Sequence, residues 1–364
     1  MKLVYVVEDF SENGGVERIV SIKANLLASK YHHQVTLISV YQDQRPQLYP
    51  LDSNVNLLLL NVPFATKAKN SIKQLCHRVQ TLLIAAHRLN RAIQQINPDV
   101  IFFTTTLGAL LLPLCKTHAK KIFESHSSRP FTPYHRFFKW MERKADLIIC
   151  LTEDDAKEYA HAKKTYVIPN FISLPQDTVK NYCCKKAIAV GRLEYPKGFD
   201  RLINCWNEIA KLHPDWHLDI YGEGSLHDKL QEQINSLNMS KHVTLCGRRE
   251  NMMDIYPNYS LHVMSSHYEG QPMVLIEAQA CGLPSVTFDF KYGAKDIIRN
   301  ERNGLLVEQN NEEAFTNAIC QMLSDAKLRE KYGENAVKIG KLYSEEIIFN
   351  KWINLLSTFE TTLR

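Results

Sequence analysis

The chain has 364 residues, a length that suits two domains of ordinary size better than one compact core. Its 45% hydrophobic and 23% charged residues are those of a globular protein and exclude wholesale disorder. The net charge of +5 is uneven, because residues 1–174 hold 22 Lys/Arg against 14 Asp/Glu and the remainder holds 22 against 25.

The elements alternate along the chain. Residues 3–7 read as a first strand, and Glu8-Asp9 follows before an apolar signal region could form, so no export signal is expected. Asn13-Gly14-Gly15 reads as a turn, 16–29 as an amphipathic helix, and 34–40 and 55–60 as strands. A helix over 71–96 ends at Asn97-Pro98-Asp99, and strands follow at 100–104, 122–124, 147–151 and 166–168. After an unperiodic polar stretch the pattern restarts, with strands at 187–190, 218–221, 243–246, 261–264 and 285–288. Helices fit at 199–212, 225–237, 272–280 and 312–323. Such alternation implies right-handed crossovers and parallel sheets, an α/β chain of two doubly wound domains. The expected division is a first domain at 1–171, a linker at 172–186, a second domain at 187–343, and a final helix at 344–364 that crosses back to the first.

Nine cysteines with no Cys-x-x-Cys pair predict reduced thiols in a cytosolic protein rather than a disulfide framework or zinc site. No run approaches the roughly 18 apolar residues of a membrane-spanning helix. The basic first half suits an anionic membrane, a phosphorylated acceptor or nucleic acid, and equally an ordinary solvated surface. No nucleic-acid-binding module is recognisable, so nucleic acid is not an expected partner.

Two motifs carry chemistry. His267-Tyr268-Glu269-Gly270-Gln271-Pro272 leads into the helix that holds Met273, Val274 and Glu277. A helix start offers free N–H groups and partial positive charge, a seat for phosphate. Glu269 in the loop and Glu277 about two turns into the helix are placed to grip hydroxyls on either side of a diphosphate; spacing alone fits a loop glutamate and a surface helix glutamate as well. The second motif, Gly191-Arg192-Leu193-Glu194-Tyr195-Pro196-Lys197-Gly198, joins a strand to a helix. Arg192 and Lys197 there can face one anion or stand as solvated loop charges.

Together these motifs resemble the retaining glycosyltransferases of family 4, which have the GT-B fold, two Rossmann-like domains facing across a cleft. Tyr221-Gly222-Glu223-Gly224, Val243-Thr244-Leu245-Cys246-Gly247, Cys281-Gly282-Leu283-Pro284 and Asn303-Gly304-Leu305-Leu306-Val307 extend the match over most of the second domain. The resemblance implies that Arg192 and Lys197 hold the donor diphosphate beside Gly191 and stabilise the leaving group. Glu269 would bind the transferred sugar, and the chain from Gly270 through Gln271, Pro272 and Met273 to Val274 would support sugar and phosphate. Glu277 would take the ribose hydroxyls, and the strand end from Gly247 to Arg249 the base. Gln271 stands where the family often has a bulkier apolar residue, so its position bears on donor sugar choice.

The first domain matches more loosely. Gly14, Gly15 and Glu17 fall in a loop similar to the family's glycine-rich first loop, whose backbone approaches donor and acceptor; on its own the Gly-Gly pair is a plain turn. His126 in Glu124-Ser125-His126 resembles the family's cleft histidine near sugar and phosphate and joins Glu269, Arg192 and Lys197 in the implied catalytic set. Asn170 falls in a segment similar to the interdomain hinge, on the acceptor side. No Asp-x-Asp occurs, which favours catalysis without a metal or other cofactor.

Lys67, Lys69, Lys73, Arg78, Arg88 and Arg91 alternate with Ile72, Leu75, Val79, Leu82, Leu83 and Ile84. Arg129, Arg136, Lys139, Arg143 and Lys144 mix with Phe131, Tyr134, Phe137, Phe138 and Trp140. Both segments suit basic amphipathic faces on an anionic bilayer, or helices with one face in the core. The implied activity is a hexosyltransferase-type glycosyltransferase (EC 2.4 class) using a nucleotide-sugar donor, UDP-sugar in the first instance. The expected acceptor is a glycan or lipid-linked glycan of bacterial surface polysaccharide or glycolipid synthesis. A sugar-nucleotide epimerase of the same fold and a non-catalytic nucleotide-sugar-binding module are the alternatives.

Overall fold

The computed structural model describes residues 1–12, 14–41, 45–64, 71–127, 129–131 and 135–363. The chain divides into two compact units, Met1–Ile168 joined by the closing residues from Phe359 onward, and Pro169–Thr358.

Seven parallel strands form the sheet of the first unit: β1 (Lys2–Val7), β2 (Gln34–Ser39), β3 (Val55–Leu59), β4 (Val100–Thr104), β5 (Lys120–Glu124), β6 (Leu147–Cys150) and β7 (Thr165–Val167), in the order β3-β2-β1-β4-β5-β6-β7. A parallel sheet is covered on both faces, so its central strands read as unbroken apolar runs. All five residues of β4 are buried, and Tyr5 stacks on Phe102 with ring centroids 4.6 Å apart. The order reverses between β1 and β4, the point where such sheets open a crevice at the carboxyl ends of their strands.

The second unit has six parallel strands: β8 (Lys186–Val190), β9 (His217–Tyr221), β10 (Val243–Leu245), β11 (Leu261–Met264), β12 (Ser285–Phe288) and β13 (Gly304–Val307), in the order β10-β9-β8-β11-β12-β13. Its core gathers around Trp206 and the stacked rings of Phe288 and Phe315, 4.1 Å apart. The reversal here falls between β8 and β11, so the loops after those strands flank the switch point.

Residues 172–186, expected as a linker, are packed into the second unit. Val179 N–H donates to Cys281 O (2.8 Å), Tyr182 Oη–H to Gly282 O (2.8 Å), and Arg329 Nε to Tyr182 O (3.0 Å). Helix Ala326–Lys341 is absent from the expected elements, and it carries two glycines, Gly333 and Gly340. They serve close approach. A Cβ at Gly333 would lie 2.2 Å from the Tyr182 hydroxyl, and one at Gly340 2.3 Å from Ala280 Cα.

Gly340→Ala therefore tests the packing by sign. In an open helix the change stabilises by up to about 1 kcal/mol. Here the added methyl pushes on the backbone of the helix Met273–Ala280, and a loss of about 1–3 kcal/mol is expected in urea unfolding. A gain in stability would contradict the contact.

Candidate active site

In the second unit the loops after β8 and β11 meet. Lys197 Nζ donates to Glu269 Oε1 at 2.7 Å, and Ser266 Oγ donates to the same oxygen at 2.7 Å. The two charged side chains are 17% and 11% exposed, so the pair is largely screened from water by protein. His267 N–H donates to Pro196 O (2.8 Å), Ser265 Oγ to Lys197 O (3.0 Å), and the rings of Tyr195 and His267 stack 4.7 Å apart. Burial, followed by the charge of Arg201, holds His267 below the ordinary imidazole range.

Gly191 gives Lys197 its path. A Cβ there would lie 3.0–3.2 Å from three carbons of the lysine stem. Arg192 and Arg249 are exposed, and neither makes a side-chain hydrogen bond or ion pair among the described residues. The β8 loop is knitted to the neighbouring strand ends, with Gly191 N–H donating to Tyr221 O and Gly222 N–H to Gly247 O, both at 2.9 Å.

Pro272 precedes the helix Met273–Ala280, and the half-buried Met273 and Val274 form its first turn. Burial and the Glu277 carboxylate push the Tyr256 phenol well up, so Tyr256 keeps its proton beside Glu277. Gln271 Oε1 accepts from the backbone N–H of Asn170 at 2.8 Å. Asn170, grouped with acceptor-side residues on sequence, thus belongs to the second unit and contacts the loop of Glu269.

Several residues that shape this site carry no sequence signal of their own. Arg201, 5% exposed, donates from Nε to Ser265 O and from a terminal nitrogen to Ser266 O, both at 2.7 Å, with its guanidinium 4.1 Å above the Phe288 ring. Gln309 Nε2 donates to His267 O (3.0 Å). These contacts hold the strand end from which Glu269 projects.

In the first unit Glu124, at the end of β5, is buried and pairs through Oε2 with Lys23 Nζ. His126 Nε2 lies 3.1 Å from that same oxygen. Burial alone would raise the Glu124 pKa, yet Lys23 and His126 together hold it below the ordinary carboxylate value. The loop beyond is anchored by Ser125 Oγ, which donates to Asp155 Oδ2 (2.7 Å) and accepts from Tyr159 Oη (2.9 Å). Glu17, 8% exposed, folds back over Gly14, where a Cβ would lie 1.9 Å from its Oε2. Burial, with the nearby Glu8, Asp9 and Glu12, raises the Glu17 pKa. A Cβ at Gly15 would meet nothing within 4 Å, and Asn13 lies outside the described residues.

Two family models match. Glycosyltransferase Family 4 covers residues 13–175, and Glycosyl transferases group 1 covers residues 174–339. The chain is a GT-B glycosyltransferase. It is 27% identical over 98% of its length to the amylovoran biosynthesis glycosyltransferase AmsD of Erwinia amylovora, covering 99% of that protein. It is 27% identical over 92% of its length to N-acetylgalactosamine-N,N'-diacetylbacillosaminyl-diphospho-undecaprenol 4-alpha-N-acetylgalactosaminyltransferase of Campylobacter jejuni, covering 93% of it. A crystal structure of mutant S. aureus TarM in complex with fondaparinux, alpha-GlcNAc-glycerol and UDP shares the fold, with TM-score 0.78 and 17% identity over 97% of this chain and 99% of that one.

Two substitutions probe the two ion pairs. In Gly191→Ala the methyl displaces a flexible lysine stem rather than backbone, so the melting temperature should hold; if Lys197 meets the donor diphosphate, as the resemblance implies, affinity for nucleoside diphosphate should fall about tenfold by calorimetry. Unchanged affinity would remove Lys197 from the anion's reach. Glu124, with its folded pKa below the unfolded value, contributes stability that is present above the unfolded pKa and is lost as pH falls through the folded one. The stability advantage of the wild type over Glu124→Gln, read by urea midpoints from about pH 6 to about pH 3, should therefore shrink towards acid; a constant gap would refute the ionised pair.

Proposed function

We propose that this glycosyltransferase moves a sugar from a UDP-sugar to a glycan or lipid-linked acceptor, with retention of configuration and without a metal, in bacterial surface polysaccharide or glycolipid synthesis. The observation that carries the reading is the Lys197–Glu269 pair, built from the two loops that flank the switch point. A donor diphosphate would draw Lys197 and the exposed Arg192, and a sugar hydroxyl would take the place of the ammonium at Glu269. The glycosidic bond to phosphate breaks as the bond to the acceptor oxygen forms on the same face, and the acceptor's proton passes to the departing phosphate oxygen. Two cations neutralise the charge that develops there, the form of electrostatic stabilisation worth most in a screened site. Glu277 would hold the ribose, the Gly247–Arg249 strand end the base, and His126 a hydroxyl of the sugar. The amylovoran and undecaprenol names of the relatives support the acceptor class, and the UDP in the TarM complex supports the donor.

We also place the protein at the inner face of a membrane. No helix among the described residues is long and apolar enough to cross one. The helix Ser71–Ile96 instead exposes Leu75, Val79 and Leu83, spaced as one stripe, beside the exposed Lys73 and Arg78. Phe137 and Trp140 are exposed among Arg136, Lys139 and Arg143. Lys67, Lys69 and Tyr134, and the side chains of Ile72 and Phe131, lie outside the described residues.

A thermal-shift screen against UDP, GDP and ADP, with and without chelator, tests the donor site. A shift with UDP that survives chelator is expected; a shift only with added magnesium or manganese would overturn the metal-free reading. Glu269→Gln should abolish transfer while sparing UDP binding, and full turnover would remove it from the site. Sugar interconversion without any acceptor would favour the epimerase. Leu75→Glu with Val79→Glu and Leu83→Glu should release the protein from anionic vesicles without lowering its melting temperature, since all three side chains already face solvent; retained binding would clear that face.

A further inference from the structure

Lys23, from the helix Gly15–Ser29, and Glu124, at the end of β5, are each only 3% exposed, and one carboxylate oxygen serves both Lys23 and His126. Lys23 Nζ also lies 5.4 Å from the centroid of the buried Tyr5 ring. An ionised carboxylate only accepts hydrogen bonds, so the imidazole nitrogen facing Glu124 Oε2 carries the proton. In the neutral ring this leaves Nδ1 as the bare acceptor. Nδ1 makes no hydrogen bond among the described residues, and it is not among the sealed, unpartnered atoms, which include Glu124 Oε1 and the Tyr5 hydroxyl.

A buried ion pair is a poor source of stability, because an apolar pair of similar volume often serves the fold as well. This one costs the chain a desolvated lysine and leaves a carboxylate oxygen without a partner. Its consequence for the rest of the unit is the orientation of one ring. We propose that Lys23 and Glu124 are positioning residues for His126, fixing the Nε2–H tautomer so that Nδ1 accepts a hydrogen bond from a hydroxyl of the donor sugar. The last step rests on the place given to His126 in the proposed reaction; the tautomer does not. Lys23 keeps Glu124 charged, and Glu124 keeps the proton of His126 on its inner nitrogen. A glutamate without its lysine would be free to take up a proton and offer an O–H, which would reverse the ring's polarity.

The test separates fold, tautomer and turnover. Lys23→Met leaves the buried Glu124 carboxylate without its ammonium partner, and Glu124→Leu leaves the buried Lys23 ammonium without its carboxylate, so each should lower the melting temperature; the double variant removes both charges and should regain it. Long-range proton–nitrogen correlation spectra, with the His126 ring assigned through His126→Gln, should show the Nε2–H tautomer in wild type and a mixture of tautomers in the double variant. UDP release from a panel of UDP-glucose, UDP-galactose and UDP-N-acetylglucosamine should fall roughly a hundredfold in kcat in the double variant, with KM little changed, the scale of a misplaced group. An unaltered tautomer in the double variant, or turnover that recovers with the melting temperature, overturns the proposal. Full turnover in His126→Gln would instead overturn the placing of His126 beside the sugar, and the last step with it, while the spectra still decide the tautomer.

Discussion

The second unit is organised around one contact, the lysine–glutamate pair at the parting of its strand order. A parallel sheet delivers all its strand ends to one edge, and only at the reversal do two adjacent loops lack a crossover helix between them. The β8 loop and the β11 loop fill that gap. Unpaired, Lys197 and Glu269 would each be a screened charge with a desolvation cost; paired, they draw the two loops together. The supporting contacts all serve that meeting: the guanidinium of Arg201 on two carbonyls of the β11 loop, Ser266 on the carboxylate, and Gly191 clearing the lysine's path. A glycosyl donor brings a diphosphate and a set of hydroxyls, which are the complementary partners of a cation and a carboxylate.

The same arrangement recurs in the first unit in a more buried form. There the carboxylate ends β5 and the lysine comes from the helix that follows β1. The difference in exposure matters. Lys197 and Glu269 are open enough for a ligand to exchange with either partner, whereas Lys23 and Glu124 are sealed and can act only through what they hold. A pair open to that degree can exchange partners, whereas a sealed one persists.

Much of this was legible in the sequence, and the parts that were not share a cause. The fully buried strands β4 and β11 announce themselves as apolar runs, and the alternation with helices points to parallel sheets. Glu269 and Glu277 were legible because their motif is contiguous. Lys23 was not, since a lysine eight positions into an amphipathic helix reads as a solvated residue until β5 places a carboxylate against it. Arg201 was hidden for the same reason, because the carbonyls it holds are more than sixty positions away. The buried amide pair Gln279 and Asn303, joined at 2.6 Å, explains the asparagine of the Asn303 motif as a bridge between a helix and the turn before β13.

Gln271 shows how a structural demand can resemble a specificity signal. Its place beside Glu269 invites the inference that a polar side chain there selects the donor sugar. Its carbonyl oxygen is already engaged by the backbone N–H of Asn170, which a bulkier apolar residue would leave without that partner. Losing the acceptor for a partly buried N–H costs about 1–3 kcal/mol, reason enough for an amide at this position whatever sugar is bound. What Gln271 still has to offer a ligand is its NH₂ group, a pure donor. Every hexose hydroxyl and every phosphate oxygen can accept from such a group, so being an amide does not by itself distinguish one sugar from another. Choice among sugars turns on where a side chain meets hydroxyls whose configuration differs between donors, and the amide character of residue 271 is accounted for by the Asn170 contact without any such choice.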